Sequence, residues 1–270
     1  MDPHQQLTFS DLTPQLPPPL IESSKVRDVE SHLGTNSSSF DSSDGLACSP
    51  LLHQISIYPA HRAATMPQVV KRVSSIFNES FGFRPDGRPY RLGPKSTAER
   101  LAQTDYLFIA GGEDAGVGYL FGKEISSSFG RIAWIESMAV LPLYRRQGVA
   151  TALVNLFAEK TVAARRVGCA TPNPIAGLVI TRVIPGKLFI GRCNPPYYLL
   201  QMFKQIRQYC FDLRGCSIDE ENLLIATGFS PLSRSDPREW LPRTSKTKPC
   251  WWSTIEHLPN KYEALLVIER

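Results

Sequence analysis

The chain of 270 residues has no Cys-x-x-Cys pair, no lysine-rich tract and no apolar stretch that approaches membrane-spanning length. Its six cysteines stand apart at 48, 169, 193, 210, 216 and 250, and its five histidines do not cluster with them. That scatter argues against a zinc site and for a reduced, intracellular protein with free thiols. The N-terminus lacks a basic flank running into an apolar segment, so a cytosolic setting is expected, with the nucleus as the alternative, and no membrane partner. Without a basic helix to concentrate it, the net charge of +5 suits an anionic small ligand better than a nucleic acid. Aromatic residues are scarce over 1–52, where Pro17-Pro18-Pro19, Ser37-Ser38-Ser39 and Ser42-Ser43 are expected to form a disordered leader. The rest, 53–270, reads as the ordered domain, and a hydrophobic content of 42% is enough to build a core.

What is present is densest at 134–167. Trp134-Ile135-Glu136-Ser137-Met138-Ala139-Val140 is apolar enough for an interior strand, and Pro142, with no N–H to donate, ends its ladder. Arg145-Arg146-Gln147-Gly148-Val149-Ala150-Thr151 then opens a helix in which Val149, Leu153, Leu156, Phe157 and Ala164 recur at the spacing of one buried face. Unpaired N–H groups at a helix start favour anions, Gly148 lets a ligand approach the backbone, and two arginines add charge. A phosphate-bearing ligand fits this corner. A bare solvated helix start shares the local pattern, so Arg-x-x-Gly-x-Ala alone does not decide.

Together with the strand before it, the run Ser137-Met138-Ala139-Val140, Pro142, Tyr144 and Arg145 through Ala150 resembles the acetyl-CoA-binding motif of the GNAT N-acetyltransferase superfamily. The resemblance implies an α/β fold: a mixed, mostly antiparallel central sheet flanked by helices, with the fourth and fifth strands splayed into a wedge. It implies acetyl-CoA as cosubstrate and no metal. The pantetheine arm would run along Met138, Ala139 and Val140, and the diphosphate would rest on Arg146, Gln147, Gly148, Val149, Ala150 and Thr151, with the Arg145 and Arg146 side chains adding charge. The implied reaction moves acetyl to a primary amine of a small molecule or protein by direct attack. Such an amine is ammonium at neutral pH by roughly three pK units, so a carboxylate is wanted to take its proton. Glu136 on the fourth strand and Asp212 in Phe211-Asp212-Leu213-Arg214 are the candidates; an exposed strand carboxylate paired with an arginine is the bland reading of each. A degenerate acyl-CoA-binding module and a basic nucleic-acid binder are the rival functions.

The remaining elements follow from local signals. Residues 55–58 alternate as a strand. Thr65-Met66-Pro67-Gln68 and Ser96-Thr97-Ala98-Glu99 have capping-box spacing and predict helices over 66–81 and to about 103, the first with Val69, Val70, Val73, Ile76, Phe77 and Phe81 as its buried stripe. Residues 106–110 and 117–121 read as hairpin strands around a glycine-rich turn. Further on, 210–214 is expected as the fifth strand and Ser217-Ile218-Asp219-Glu220 as the cap of a fourth helix ending at Gly228-Phe229. Trp251-Trp252 and 263–268 are expected as closing strands. On that plan 169–208 is an atypical insertion, an accessory hairpin and helix or a segment from an unremoved intron, with an amphipathic helix over 197–208. Leu224 then stands where the family often has a tyrosine that protonates the leaving thiolate, with Tyr197 and Tyr198 as possible substitutes, and Ser217 where an asparagine is common.

Overall fold

Side chains alternate across a strand, so each strand of this chain divides its apolar residues between two helical layers. In β2 (Tyr106–Ala110) Leu107 and Ile109 face one side, while Phe108 and Ala110 face the other. β3 (Gly118–Ser127) and β4 (Gly130–Val140) repeat the division, Tyr119 and Phe121 against Leu120, and Ile132 and Trp134 against Ala133 and Ile135. The computed structural model describes residues 54–81, 88–112, 115–191, 197–229, 254–255 and 257–270.

Among the described residues nine strands form one sheet in the order β1-β2-β3-β4-β5-β9-β8-β7, with β6 also on β9. Here β1 is Ile55–Pro59, β5 Arg166–Thr171, β6 Lys187–Ile190, β7 Ile218–Asp219, β8 Leu224–Ile225 and β9 Glu263–Glu269. The pairings are antiparallel except β4 with β5, so the expected mixed, mostly antiparallel sheet is what forms. On one face lie α1 (Ala60–Ala63), α2 (Pro67–Ser80), α3 (Pro94–Leu101) and α6 (Tyr197–Tyr209). On the other lie α4 (Val149–Lys160) and α5 (Pro174–Val183).

The expected helix α2 forms, and Val69, Val70, Val73 and Ile76 are its buried stripe, with Phe77 and Phe81 half-buried. Neither capping box forms. Thr65 Oγ1 donates to the Arg62 carbonyl and Thr97 Oγ1 to the Gly93 carbonyl, while Pro67 and Pro94 start the helices, proline being preorganised for the first turn.

The larger correction concerns the second half. α4 stops at Lys160, short of Ala164, and the fifth strand is 166–171, not 210–214. Residues 210–214 are a turn after α6, and 217–225 form the β7/β8 hairpin instead of a helix, with the Asp219 carboxylate accepting the Asn222 N–H at 3.1 Å. Residues 169–208 thus supply the end of β5, then α5, β6 and most of α6, the last of these as expected. Gly168 hides the strand in sequence. A Cβ there would lie 2.7 Å from the Trp134 ring and 2.8 Å from the Leu266 carbonyl, so glycine is what lets β5 sit between β4 and β9. The helix that follows β5 is capped by Asn173, whose side chain accepts from the Ile175 N–H at 2.9 Å. Asn173 therefore holds the position read as Ser217, and Leu224 lies in a strand. The leader at 1–52 and Trp251-Trp252 lie outside the described residues.

Candidate active site

β4 and β5 run side by side only from Ile132/Arg166 to Ile135/Cys169. Beyond that β4 continues to Val140 beside β3, while β5 follows β9 to Thr171. The strands part, and a wedge opens. The cause is local: on β3 Phe121 pairs with Ser137 and Gly122 with Ile135, so Glu136 is an extra residue, a bulge that bends β4 and re-aims its side chains. After the bulge Ser137 and Ala139 face the α2 side and Met138 and Val140 the α4 side. Leu141 N–H bonds the Val117 carbonyl of the β3 side, so by antiparallel alternation the backbone groups of Met138 and Val140 point into the wedge. One of them is taken, since Arg145 Nε donates to the Val140 carbonyl at 3.1 Å.

Past β4, Pro142–Tyr144 make a short 3₁₀ turn, and Arg146 and Gly148 both adopt left-handed backbone, at φ 63° and 82°. Such a reversal aims successive N–H groups inward, an anion-binding concavity, at a cost of about 1–2 kcal/mol for the non-glycine residue. Gly148 is the N-cap of α4 and brings no capping side chain, and no acidic residue stands in the first turn. The N–H groups at this helix start remain available to a ligand. Val149 is buried and anchors the start, Ala150 is half-buried, and Arg146, Gln147, Gly148 and Thr151 are exposed. Arg145 is a brace: besides Val140 it bonds the Ser80 carbonyl at the end of α2 at 3.0 Å, and burial lowers its pKa. Gln147 Nε2 donates to the Leu143 carbonyl at 3.0 Å.

On the α2/α6 face the bulge sets Glu136 at the apex of the wedge. Its side chain is 3% exposed, Lys123 Nζ pairs with Oε1 at 3.1 Å, and the Cys210 thiol also stands against the carboxylate. Lys123 also donates to the Tyr209 carbonyl at 2.6 Å. Burial raises the Glu136 pKa, Lys123 opposes the rise, and the nearby Asp212 adds to it. Asp212 reaches the same face from the turn after α6, where it is ion-paired and hydrogen-bonded to Arg100. Burial raises its pKa and Arg100 opposes the rise. Beside them Tyr119 and Ser137 share a hydrogen bond of 3.0 Å.

A third carboxylate, Glu263, escaped the reading of the sequence because it looks like the polar start of an apolar strand. Its place in β9, two residues before Leu265 of the α6-side core, puts it on the same face, just beyond the end of β5. Thr227 Oγ1 donates to Glu263 Oε1 at 2.6 Å. Burial pushes its pKa up to about 7; the Thr227 bond opposes this and Asp212 adds to it. The proposed acid substitutes lie elsewhere. Tyr198 bonds Glu269 at 3.4 Å at the opposite end of β9, Tyr197 is 75% exposed, and α5 carries no tyrosine. Among the described residues no three His, Cys, Asp or Glu side chains are grouped to hold a metal, no helix is long and apolar enough to cross a membrane, and Cys169, Cys210 and Cys216 are free thiols.

Residues 70–176 match the model of the Acetyltransferase (GNAT) family, a span that runs from α2 through the wedge and the start of α4 into α5. No curated protein matches the chain. Among solved structures, an acetyltransferase of the GNAT family from Streptococcus pneumoniae is 14% identical over 52% of this chain and 90% of its own, with a TM-score of 0.36. NAA60 of Arabidopsis thaliana, solved in complex with acetyl-CoA, is 17% identical over 52% of this chain and 91% of its own, with a TM-score of 0.37. An aminoglycoside acetyltransferase, meta-AAC0020 from an uncultured soil metagenomic sample in complex with sisomicin, is 20% identical over 43% and 75%, with a TM-score of 0.30.

Proposed function

We propose, from the premise that residues 70–176 form an acetyltransferase domain of the GNAT family, that this chain transfers acetyl from acetyl-CoA to a primary amine by direct attack, within a catalytic domain spanning 53–270. The observation that carries the proposal is the wedge: an open β4 edge leading straight to a helix start whose N–H groups have no cap. The inward-facing backbone of Met138 and Val140, on either side of Ala139, suits an amide-bearing arm added as a strand would be. Arg146, Gln147, Gly148, Val149, Ala150 and Thr151 suit a diphosphate, and the braced Arg145 holds the corner's shape. Acetyl-CoA supplies the activated acyl group; the protein's part is to position it and to manage protons.

Glu136 fits the proton acceptor. Its burial at the apex of the wedge raises its basicity, and the Lys123 ion pair holds the carboxylate beside the wedge. The ammonium gives one proton to Glu136, the neutral amine attacks the thioester carbonyl, the C–S bond breaks as the C–N bond forms, and the second amine proton leaves with the thiol. Asp212, balanced by Arg100, is the lesser candidate and acts on Glu136 through its charge. The absence of a tyrosine from α5 favours a second reading, an acyl-CoA-binding module without strong catalysis. Calorimetric titration with coenzyme A, paired with thiol release from acetyl-CoA over a panel of polyamines, arylalkylamines, amino sugars and peptides, separates the two. Binding with turnover on one acceptor class supports the transferase; binding with no turnover on any supports the module.

A further inference from the structure

Three carboxylates share the acceptor face, and their partners differ. Glu136 has Lys123 and Asp212 has Arg100, but among the described residues Glu263 has a hydroxyl, Thr227, and no cation. Among the described residues the groups that reach it electrostatically add no positive charge: Asp212 from the turn after α6, Cys169 from β5 and Cys216 from the segment before β7. A half-buried carboxylate without a counter-ion is disfavoured when ionised, and a bound cation relieves that cost.

The same Thr227 leads to an aromatic wall. Its hydroxyl, while donating to Glu263, accepts the Phe229 N–H at 3.3 Å. The Phe229 ring lies 4.5 Å from Tyr90 and 5.7 Å, edge-on, from Phe81, which stacks on Phe77 at 4.0 Å. All four rings are half-buried. The wall is tied to the rest of the site at two points. Asn78 of α2 accepts the Leu92 N–H at 2.7 Å, fixing the segment that carries Tyr90, and the Ser80 carbonyl accepts from Arg145 of the cofactor corner.

We infer that this is the acceptor pocket of the proposed transferase: Glu263 is the counter-ion of the acceptor's ammonium, and Phe77, Phe81, Tyr90 and Phe229 hold an aromatic group borne on the same short chain. The inference rests on the acetyl-transfer reading for its purpose and on this cluster for its geometry. One carboxylate with no cation among the described residues matches one ammonium, and four half-buried rings in stacked, edge and tilted contact offer an apolar face for a fifth, which argues for an arylalkylamine over a polyamine with several charges along its length. Glu263 touches substrate without taking its proton, so its effect falls on binding.

The test is calorimetric titration of 2-phenylethylamine into the full chain saturated with coenzyme A, beside spermidine and the uncharged 2-phenylethanol. Glu263→Gln and Phe229→Ala are each expected to weaken 2-phenylethylamine at least about tenfold, with 2-phenylethanol and spermidine as weak on the unaltered chain. Affinity of the unaltered chain should drop about tenfold from pH 8 to pH 6 as the carboxyl near pH 7 takes up its proton while the amine stays charged. The pH series and the 2-phenylethanol comparison stand even where a variant fails to fold. Unchanged affinity in Glu263→Gln, tighter binding of spermidine, or a flat pH series overturns the inference. Thiol release is read separately: amine binding as described without turnover removes the transfer reading and leaves this pocket, whereas turnover with a Glu263-independent affinity does the reverse.

Discussion

Glu136 and Glu263 lie on one face of the sheet, one on β4 at the apex of the wedge and one on β9 beyond the end of β5, and burial raises the pKa of both. Their surroundings part from there. Glu136 is almost fully enclosed, set by a bulge and faced by the Lys123 ammonium at 3.1 Å. Glu263 is partly open, steadied by one hydroxyl and left without a positive partner among the described residues. A carboxylate with a built-in cation needs nothing from the substrate and can be kept for chemistry. One without it gains most when the substrate brings the charge. On the proposed reading the pair divides proton transfer from acceptor capture.

The sharpest way to break that division is to remove each charge and ask which kinetic constant moves. Glu136→Gln is expected to lower kcat by about a hundred- to ten-thousand-fold with little change in KM, read from steady-state thiol release. Glu263→Gln should instead raise KM for 2-phenylethylamine by about ten- to a hundredfold, the loss of a hydrogen bond to a charged group, with kcat changed far less. Equal losses in kcat for both would erase the distinction.

Stability gives a second contrast. Gly168→Ala is expected to cost about 1–3 kcal/mol by overpacking against Trp134 and the Leu266 carbonyl, measured by urea unfolding. Glu263→Gln should do the opposite at alkaline pH. With a folded pKa of about 7 against an ordinary 4.5, the native state holds more protons than the unfolded chain between those values, so stability falls as pH rises through them. The variant's melting temperature is expected to exceed that of the unaltered chain above pH 7 and to match it below pH 4.5. The smallest effect belongs to Thr227→Val. The hydroxyl lowers the Glu263 pKa, so its loss should move the pH limb of KM upward from about 7, and a downward move would contradict the assignment.

The cofactor side of this account was readable because its signals are local. The Ala139-Val140 step, the proline, and the glycine at the helix start report backbone needs within a dozen residues, and β4, the turn and the helix after Gly148 formed where expected, although α4 ends at Lys160, short of Ala164. The acceptor side was not, because it is assembled at long range. β5 is short and carries Gly168 where Trp134 and β9 close in, so its strand pattern was weak, and displacing it to 210–214 also moved the helix that follows it from 174–183 to 217–229. Asp212 reached the right face from the wrong element. Glu263 meets Thr227 across 36 positions, and no spacing rule connects them. The capping-box matches failed for a related reason: a proline at the first turn set the helix start before the hydroxyl could.

The most direct measurement of the central claim uses acetyl-CoA carrying a labelled acetyl group, incubated with the chain and 2-phenylethylamine and followed by mass spectrometry. Labelled N-acetyl-2-phenylethylamine, formed in step with free thiol and lost in Glu136→Gln, is the expected result. Coenzyme A bound in the wedge with no acetylated product from this or any other primary amine would contradict it.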